Sequence, residues 1–282
     1  MRSTHKAWIL STTVALAVAM IMVGSAQGQR GGGGGGRGRA GGPAPAQAAP
    51  GPAPQRIAVQ VTQVRPDMVG TYQDLIKNEA NPGLKKGGIA YRWTWANGPS
   101  GQAFTFVSVQ PITNYAQYDQ PGALQKGIGA DGVANYNAKL RPTIVSQHTY
   151  IQTLRQDLSI QSNSGTPPAF AVIQTFQIAP GKGDDFTKSM TSDYLPNYKK
   201  AGLKDFWAYA VNYGAPGGQI VTVRPIAKYA ELDEQGLLAK AGVTGDAAAQ
   251  IGARRAAIAT VIDNELVRYV PELSFGMPKA TN

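Results

Sequence analysis

The 282-residue chain has no cysteine and only two histidines, His5 and His148. Without cysteine the protein has neither disulfide bonds nor a lipid anchor attached through a thiol, so its stability has to come from a hydrophobic core. Two histidines are too few for a zinc site, and the sequence has no Asp-x-Asp-x-Asp-Gly loop for calcium. We therefore expect no metal site and no bound cofactor.

Sequence motifs of catalysis are also missing. No serine is flanked by glycines as in a nucleophile elbow, and the sequence has no glycine-rich phosphate loop of the known types. A lone histidine such as His148 is more often a packed or surface residue than a ligand. No reaction class follows from the residues alone.

The positive charge is concentrated near the N-terminus. The formal net charge is +10, and the first 56 residues contain six basic residues and no acidic one. These six are Arg2, Lys6, Arg30, Arg37, Arg39 and Arg56. The remaining four excess charges are spread over more than 200 residues. This bias is too small to indicate an anionic partner, and we expect no nucleic-acid binding.

The first residues have the order of a secretory signal peptide. Arg2 and Lys6 precede an apolar run at 7–23, and three small residues follow at 24–26. This order predicts a signal peptide at 1–26 that is cleaved after Ala26, and a periplasmic or secreted protein without a stable membrane anchor. The alternative is an uncleaved anchor, because the apolar run is near the lower length limit for spanning a bilayer.

A segment rich in glycine, alanine and proline follows at 27–56. It has almost no bulky apolar side chains to bury, so it cannot offset the conformational entropy lost on folding. We expect a disordered linker there.

An internal repeat with a spacing of 114 residues runs through the rest of the chain. The matching pairs include Gln60 and Gln174, Pro82 and Pro196, Gly88 and Gly202, Trp93 and Trp207, Leu124 and Leu238, and Arg141 and Arg255. A period of this length indicates duplication of a whole module and not a solenoid. We predict two modules, at 57–162 and 168–276, and a short tail at 277–282.

The sequence of each module predicts the order strand, helix, strand, strand, helix, strand. The predicted strands lie at 57–64, 91–95, 104–109 and 150–158 in the first module, and at 169–178, 207–209, 220–223 and 266–273 in the second. The predicted helices lie at 68–84, about 115–126, 132–146, 186–198 and 247–260. A kink or restart is expected at Pro82 in the first of them and at Pro196 in the fourth. This βαββαβ order is that of the ferredoxin-like α+β fold.

The two modules resemble the dimeric α+β barrel superfamily, which includes antibiotic-biosynthesis monooxygenase-like, EthD-like and NIPSNAP-type domains. The matching features are the strand starts IAVQVTQVRP and AVIQTFQIAP, the helix ends NPGLKKGG and LPNYKKAG, and the aromatic strands YRWTW and FWAYA. In that superfamily two sheets, usually from two chains, pack into one barrel. The resemblance implies an intramolecular barrel here, and it leaves a further homodimer open.

Seven side chains are candidates for a ligand site inside such a barrel. They are Tyr91, Trp93, Trp95, Trp207 and Tyr209, with Gln60 and Gln174 as amide partners. We expect a small hydrophobic or aromatic ligand, held without catalysis, or a scaffold role. The alternative roles are structural: core packing for the aromatic residues and cross-strand hydrogen bonds for the glutamines. Arg141 and Arg255 are expected to form surface ion pairs on the second helix of each module.

The resemblance also implies an alternative function. Cofactor-independent monooxygenases and isomerases of the superfamily hold an electron-rich ring in the barrel, so a phenolic or quinol substrate is the corresponding expectation. The repeated positions offer no pair of asparagines or histidines to deprotonate such a substrate.

We predict that export removes residues 1–26. When the full chain is produced in a bacterium with a periplasm, the soluble protein should begin at Gln27, because a small residue at position 26 suits signal peptidase. N-terminal sequencing or intact mass measures this directly. Recovery of the uncleaved chain in the membrane fraction would instead identify an anchor.

Overall fold

A computed structural model describes residues 55–162 and 166–276. The expected signal peptide at 1–26, nearly all of the linker at 27–56 and the tail at 277–282 lie outside these ranges. The described residues form eight strands and seven α-helices in a mixed α+β arrangement.

The strands follow the predicted stretches of β-branched and aromatic residues. They are β1 (Arg56–Val64), β2 (Trp93–Asn97), β3 (Thr105–Ile112), β4 (Ile144–Leu154), β5 (Phe170–Ile178), β6 (Trp207–Tyr213), β7 (Gln219–Ile226) and β8 (Ala259–Tyr269).

The helices pack on the outer face of the sheet. They are α1 (Val69–Leu75), α2 (Asn81–Lys86), α3 (Ala123–Leu140), α4 (Gly183–Ser189), α5 (Leu195–Lys200), α6 (Leu237–Lys240) and α7 (Gly245–Ala256). Short π-helical segments join α1 to α2 and α4 to α5. Pro82 and Pro196 stand in the first turn of α2 and α5, so the predicted helix restarts are confirmed. None of these helices is long and apolar enough to span a membrane.

The last helix and strand of each half differ from the prediction. The helix predicted at 132–146 ends at Leu140, and β4 begins at Ile144 where the sequence predicted helix. In the second half the helix predicted to reach 260 ends at Ala256, and β8 begins at Ala259. The first residues of both strands are largely exposed, so they lack the buried apolar positions that mark a strand in sequence. Pairing with β1 and β5 holds them extended.

All eight strands form one closed antiparallel barrel. Their order around the barrel is β1, β3, β2, β8, β5, β7, β6, β4, and β4 returns to β1. The first four strands in sequence are contiguous, and so are the last four. Two seams join these halves: β2 pairs with β8, with Trp95 opposite Tyr269, and β4 pairs with β6, with Gln152 opposite Val211. The expected barrel within one chain is therefore confirmed at the level of the fold.

Strand pairing within the halves matches at the spacing of 114 residues. Val59 lies opposite Val109 on β1 and β3, and Ile173 lies opposite Val223 on β5 and β7. Strand order is thus the same in both halves, and so is the register of these two pairs. The last strand of each half differs by one residue, since Tyr150 lies opposite Val59 and Glu265 lies opposite Ile173.

Hydrophobic packing occurs on both faces of the sheet. Tyr72 and Phe106 belong to the outer core of the first half, and Phe176 and Phe186 belong to that of the second. The inner face forms the barrel lumen, where valines pack against aromatic rings such as Trp95. Alternation along each strand assigns each side chain to the lumen or to the helices.

The lumen face also carries polar side chains, among them the carboxylate of Glu265. Glu265 is opposite Ile173, and it accepts a 3.1 Å hydrogen bond from Nδ2 of Asn97. Burial and the nearby Asp263 raise the pKa of the Glu265 carboxyl above its ordinary value. The hydrogen bond from Asn97 lowers this pKa by a smaller amount. Burial also raises the pKa of Tyr150, and the same two carboxylates add to the shift. The charge on Glu265 therefore opposes folding.

Replacing Glu265 by glutamine should stabilise the protein near neutral pH. Because the carboxyl has a higher pKa in the folded state than in the unfolded state, its ionisation reduces stability above the unfolded pKa. Glu265→Gln keeps the oxygen that accepts from Asn97, and we expect a melting temperature about 2 °C higher at pH 8. The gain should disappear as the pH falls to about 4.

The matched control is Glu272→Gln, an exposed glutamate outside the lumen. In the same melting series, this variant should leave the difference in melting temperature between pH 8 and pH 4 as it is in the unmodified protein. A lower melting temperature of Glu265→Gln at pH 8 would show that the charge stabilises the barrel.

Candidate functional site

The predicted aromatic residues at 91–95, in β2 and just before it, lie in one row of rings. The ring centroids of Tyr91 and Trp93 are 5.0 Å apart, those of Trp93 and Trp95 are 6.1 Å apart, and Trp95 is 5.6 Å from Tyr269 across the seam. Both indole nitrogens donate to backbone carbonyls, Trp93 to Gly276 and Trp95 to Pro168, each at 3.1 Å. These contacts are those of packed seam residues.

Tyr209 reaches the lumen from the second half. It packs against the cluster of Ile57, Val59 and Val107. Burial raises the pKa of Tyr209, and the nearby Tyr91 adds to the shift. Burial alone raises the pKa of Tyr91 to about 12. Both phenols therefore stay protonated and neutral at physiological pH, which suits an apolar lumen.

The other three candidates lie apart from this row. Trp207 is half-buried and opposite Val223, on the lumen side of β6. Gln60 and Gln174 alternate with the lumen residues Val59 and Ile173, so they lie on the opposite face of the sheet. Their register corrects the expectation that these amides extend into the barrel.

Two cavities of ligand size lie outside the lumen. One, of about 520 Å³, lies where β5, the turn after β6 and the start of β8 meet. Glycine, alanine and proline make up much of its lining, Gln177 and Thr260 add polar side chains, and no lining residue is ionisable. Such a surface offers little to orient a polar ligand.

The second cavity, which we name the cleft, has a volume of about 450 Å³ in the second half. It lies between α5, α6 and the end of β7, on the helix side of the sheet. Its main lining side chains are Tyr194, Tyr198, Leu203, Arg224, Leu237 and Leu238. The lining also includes Glu231, Glu234 and Lys240, so the cleft has about as much polar as apolar surface.

Two arginine side chains lie at the cleft, Arg224 in its lining and Arg255 next to Tyr194. Burial lowers the pKa of the half-buried Arg224, whereas the nearby Tyr198 and Glu231 raise it by a smaller amount. The Arg255 guanidinium lies 4.0 Å from the ring centroid of Phe176 and 4.5 Å from that of Tyr194. Arg255 thus stacks on two rings, in place of the expected surface ion pair.

Tyr198 is the polar group on which both arginines act. Burial raises the pKa of its hydroxyl, while the charge of Arg255, a hydrogen bond with that residue and the charge of Arg224 oppose the shift. Its ring meets Tyr194 edge to face at 5.8 Å and Phe206 at 5.4 Å. The hydroxyl is thereby held at the wall of the cleft next to positive charge.

The two carboxylates of the lining have structural partners. Glu231 accepts a 2.9 Å hydrogen bond from the backbone N–H of Ala227. Glu234 pairs with Lys240 at 2.6 Å, and this contact lowers the pKa of Glu234. The lining thus holds two cations, Arg224 and Lys240, and two carboxylates, so its own charges balance. Arg255, which lies behind Tyr198, adds a positive charge next to the cleft, and this charge favours a ligand with a phenolate or another weakly acidic group.

Sequence reasoning missed the cleft, although the repeat contains a signal for it. At the spacing of 114 residues, Tyr198 corresponds to Leu84, Arg224 to Gln110 and Tyr194 to Ala80. Two of these differences place an aromatic side chain only in the second half, and the third places a charge there in place of an amide. Four of the seven predicted site residues are positions that match in the two halves, whereas Tyr194, Tyr198 and Arg224 are positions that do not.

A metal-binding group is not part of this region. Within 55–162 and 166–276, no three side chains of histidine, aspartate or glutamate are grouped so that they could hold a metal ion. The organic side chains of the cleft thus define what the site can bind.

Comparisons with known proteins bear on the fold. No family model matches the chain, and no curated protein matches it. An anthrone oxidase-like protein of known structure superposes with a TM-score of 0.53 at 9% identity, over 77% of this chain and 91% of that one. A monooxygenase-like protein from Fusobacterium nucleatum superposes with a TM-score of 0.51 at 10% identity, over 77% of this chain and 93% of that one. At such identities the likeness shows the fold alone, that of the dimeric α+β barrel proteins.

Proposed function

We propose that the cleft binds a planar phenolic or quinol molecule and that the protein oxidises it with O2 without a cofactor. The observation that carries the binding step is the meeting of Tyr198 and Arg224 in the cleft, with Arg255 behind Tyr198. The fold neighbours support the oxidation step. This proposal moves the ligand from the barrel lumen to the cleft.

The size and walls of the cleft suit a flat ring system. A volume of about 450 Å³ lies in the range of small-molecule sites. Leu203, Leu237 and Leu238 offer apolar contact, and Tyr194 and Tyr198 offer ring edges and faces.

The charge of the cleft suits the ionised form of a phenol. A buried guanidinium is poorly solvated, so a phenolate that reaches Arg224 replaces lost water contacts with a charge-assisted hydrogen bond. Stabilising the phenolate lowers the pKa of the bound phenol and raises the electron density of its ring. An electron-rich anion is the form that reacts with O2.

The reaction balances for a substrate with a methylene group conjugated to the phenol. The substrate CH2 becomes C=O, one oxygen atom of O2 enters the product, and the other leaves as water. The substrate carbon supplies all four electrons, so no external reductant is required. The names of the neighbours, anthrone oxidase-like and monooxygenase-like, support this class of reaction.

Binding without catalysis is the second candidate, and one observation favours it. Glu231 and Glu234, the carboxylates of the lining, already have structural partners, so neither is a free base for a bound phenol. In that case the protein carries or sequesters its ligand.

Three further proposals rest on the sequence. We propose that the two halves arose by duplication, that the signal peptide directs the protein to the periplasm or outside the cell, and that a homodimer is compatible with the fold. The matched registers at a spacing of 114 residues support the first.

Removing the charge of Arg224 should weaken binding of ionisable phenols. Arg224→Met keeps much of the side-chain volume but loses a charged hydrogen bond worth about 1.5–3 kcal/mol, so we expect 1-naphthol affinity to fall about tenfold to hundredfold. Naphthalene, which has no hydroxyl, should bind both proteins within about threefold. Isothermal titration calorimetry measures both ligands.

The control variant is Arg268→Met, which removes an exposed arginine on β8. It should bind 1-naphthol like the unmodified protein. Equal loss in both variants would indicate a general effect of net charge, and no loss in either would remove Arg224 from the site.

The oxidation step predicts oxygen consumption with anthrone, whose enol form is a three-ring phenol. Oxygen uptake should be proportional to protein, yield one anthraquinone per O2, and fall about tenfold or more in Arg224→Met. An oxygen electrode and absorbance of the product measure the stoichiometry. Saturable binding without uptake would establish the carrier function, and neither binding nor uptake would overturn the proposal.

A further inference from the structure

In the first half, the two helices that correspond to those beside the cleft touch each other. A β-carbon built on Gly87 would overlap the backbone of Ala123 at the start of α3, and one built on Gly127 would overlap the backbone of Gly83 in α2. A β-carbon on Gly83 would lie 2.7 Å from Cδ1 of Leu124. Only glycine at these positions permits such an approach.

The second half has a side chain at each of these three positions. At the spacing of 114 residues, Gly83 corresponds to Asn197, Gly87 to Ala201 and Gly127 to Ala241. Helix α5 and helix α6 therefore cannot approach as closely as α2 and α3 do, because helix separation depends on the side chains at the contact. Ala201 and the neighbouring Gly202 line the cleft at this point.

We infer that Ala201 and Ala241 are specificity-determining spacers: their methyl groups hold α5 and α6 apart, set the width of the cleft and confine ligand binding to the second half. The inference rests on the proposed function for the identity of the ligand, but not for the helix spacing. Each chain then binds one ligand, although it contains two halves of the same fold.

Ala241 transmits its effect without touching the ligand. It is 1% exposed and lies at the end of α6, where Gly242 and Val243 close the turn by hydrogen bonds to Ala239 and Leu238. Ala201 ends α5, and its N–H donates to Asn197 at 2.8 Å. Both residues are thus parts of rigid helix ends, so a change in either is expected to shift the helices and not only the local side chains.

The decisive variant is the double substitution Ala201→Gly and Ala241→Gly, which leaves Tyr198 and Arg224 in place. Since the chain has no cysteine, Lys199→Cys and Thr244→Cys permit specific spin labels at exposed positions next to α5 and α6. Pulsed electron paramagnetic resonance should show the labels closer by about 1–2 Å in the double variant. Calorimetry on the unlabelled proteins should show one 1-naphthol per chain in the parent and at least tenfold weaker binding in the double variant.

The matched control is Gly87→Ala with Gly127→Ala in the first half. It introduces the same two methyl groups at the corresponding positions, and it should leave the affinity of the existing site and the separation of the labels unchanged. Circular dichroism melting identifies any variant that does not fold. Because the control forces a close helix contact apart, a lower melting temperature is expected there.

The possible results separate the two proposals. Unchanged label separation in the folded double variant overturns the spacer role. Closer labels with unchanged affinity for 1-naphthol overturn the role in specificity. If the parent protein binds no 1-naphthol but the labels still move closer, the proposed ligand class is wrong and the spacer role stands. Two bound ligands per parent chain would overturn the restriction to one half.

Discussion

The closure of the sheet is the constraint on which the rest of the structure depends. Each half supplies four strands with an apolar inner face, and an open sheet of this kind would leave both that face and its edge hydrogen-bonding groups exposed. The pairings of β2 with β8 and of β4 with β6 close the sheet, so that the inner face is buried and the edge groups form hydrogen bonds. The aromatic residues at the first seam, including Trp95 and Tyr269, are explained by this closure more directly than by ligand binding.

Closure also explains why the lumen and the cleft have different chemistry. Side chains of both halves meet inside the barrel, so most of that space is packed with valines and aromatic rings, and a charge such as that of Glu265 is disfavoured. The outer face is covered only by helices, whose distance from one another can vary. A cavity with arginine and tyrosine side chains forms there because α5 and α6 remain apart.

The two halves share one backbone plan but differ in the side chains that decide function. Matching positions, such as Trp93 and Trp207, maintain strands and core, whereas differing positions, such as Leu84 and Tyr198, supply the polar wall of the cleft. Glycine in the first half and alanine in the second then decide which pair of helices closes. A fold with two similar halves can thus retain stability in one half while the other half is free to form a site.

The sequence by itself determined the number and type of most elements and the correspondence of the two halves. These features depend on local periodicity, on proline and glycine positions and on a repeat that can be read along the chain. The barrel was expected from the resemblance to the dimeric α+β barrel superfamily. Only the tertiary structure decided the early start of β4 and β8, the outward face of Gln60 and Gln174, and the meeting of Tyr198, Arg224 and Arg255. The physical reason is that these features depend on strand register and helix separation, which are set by contacts between residues far apart in sequence.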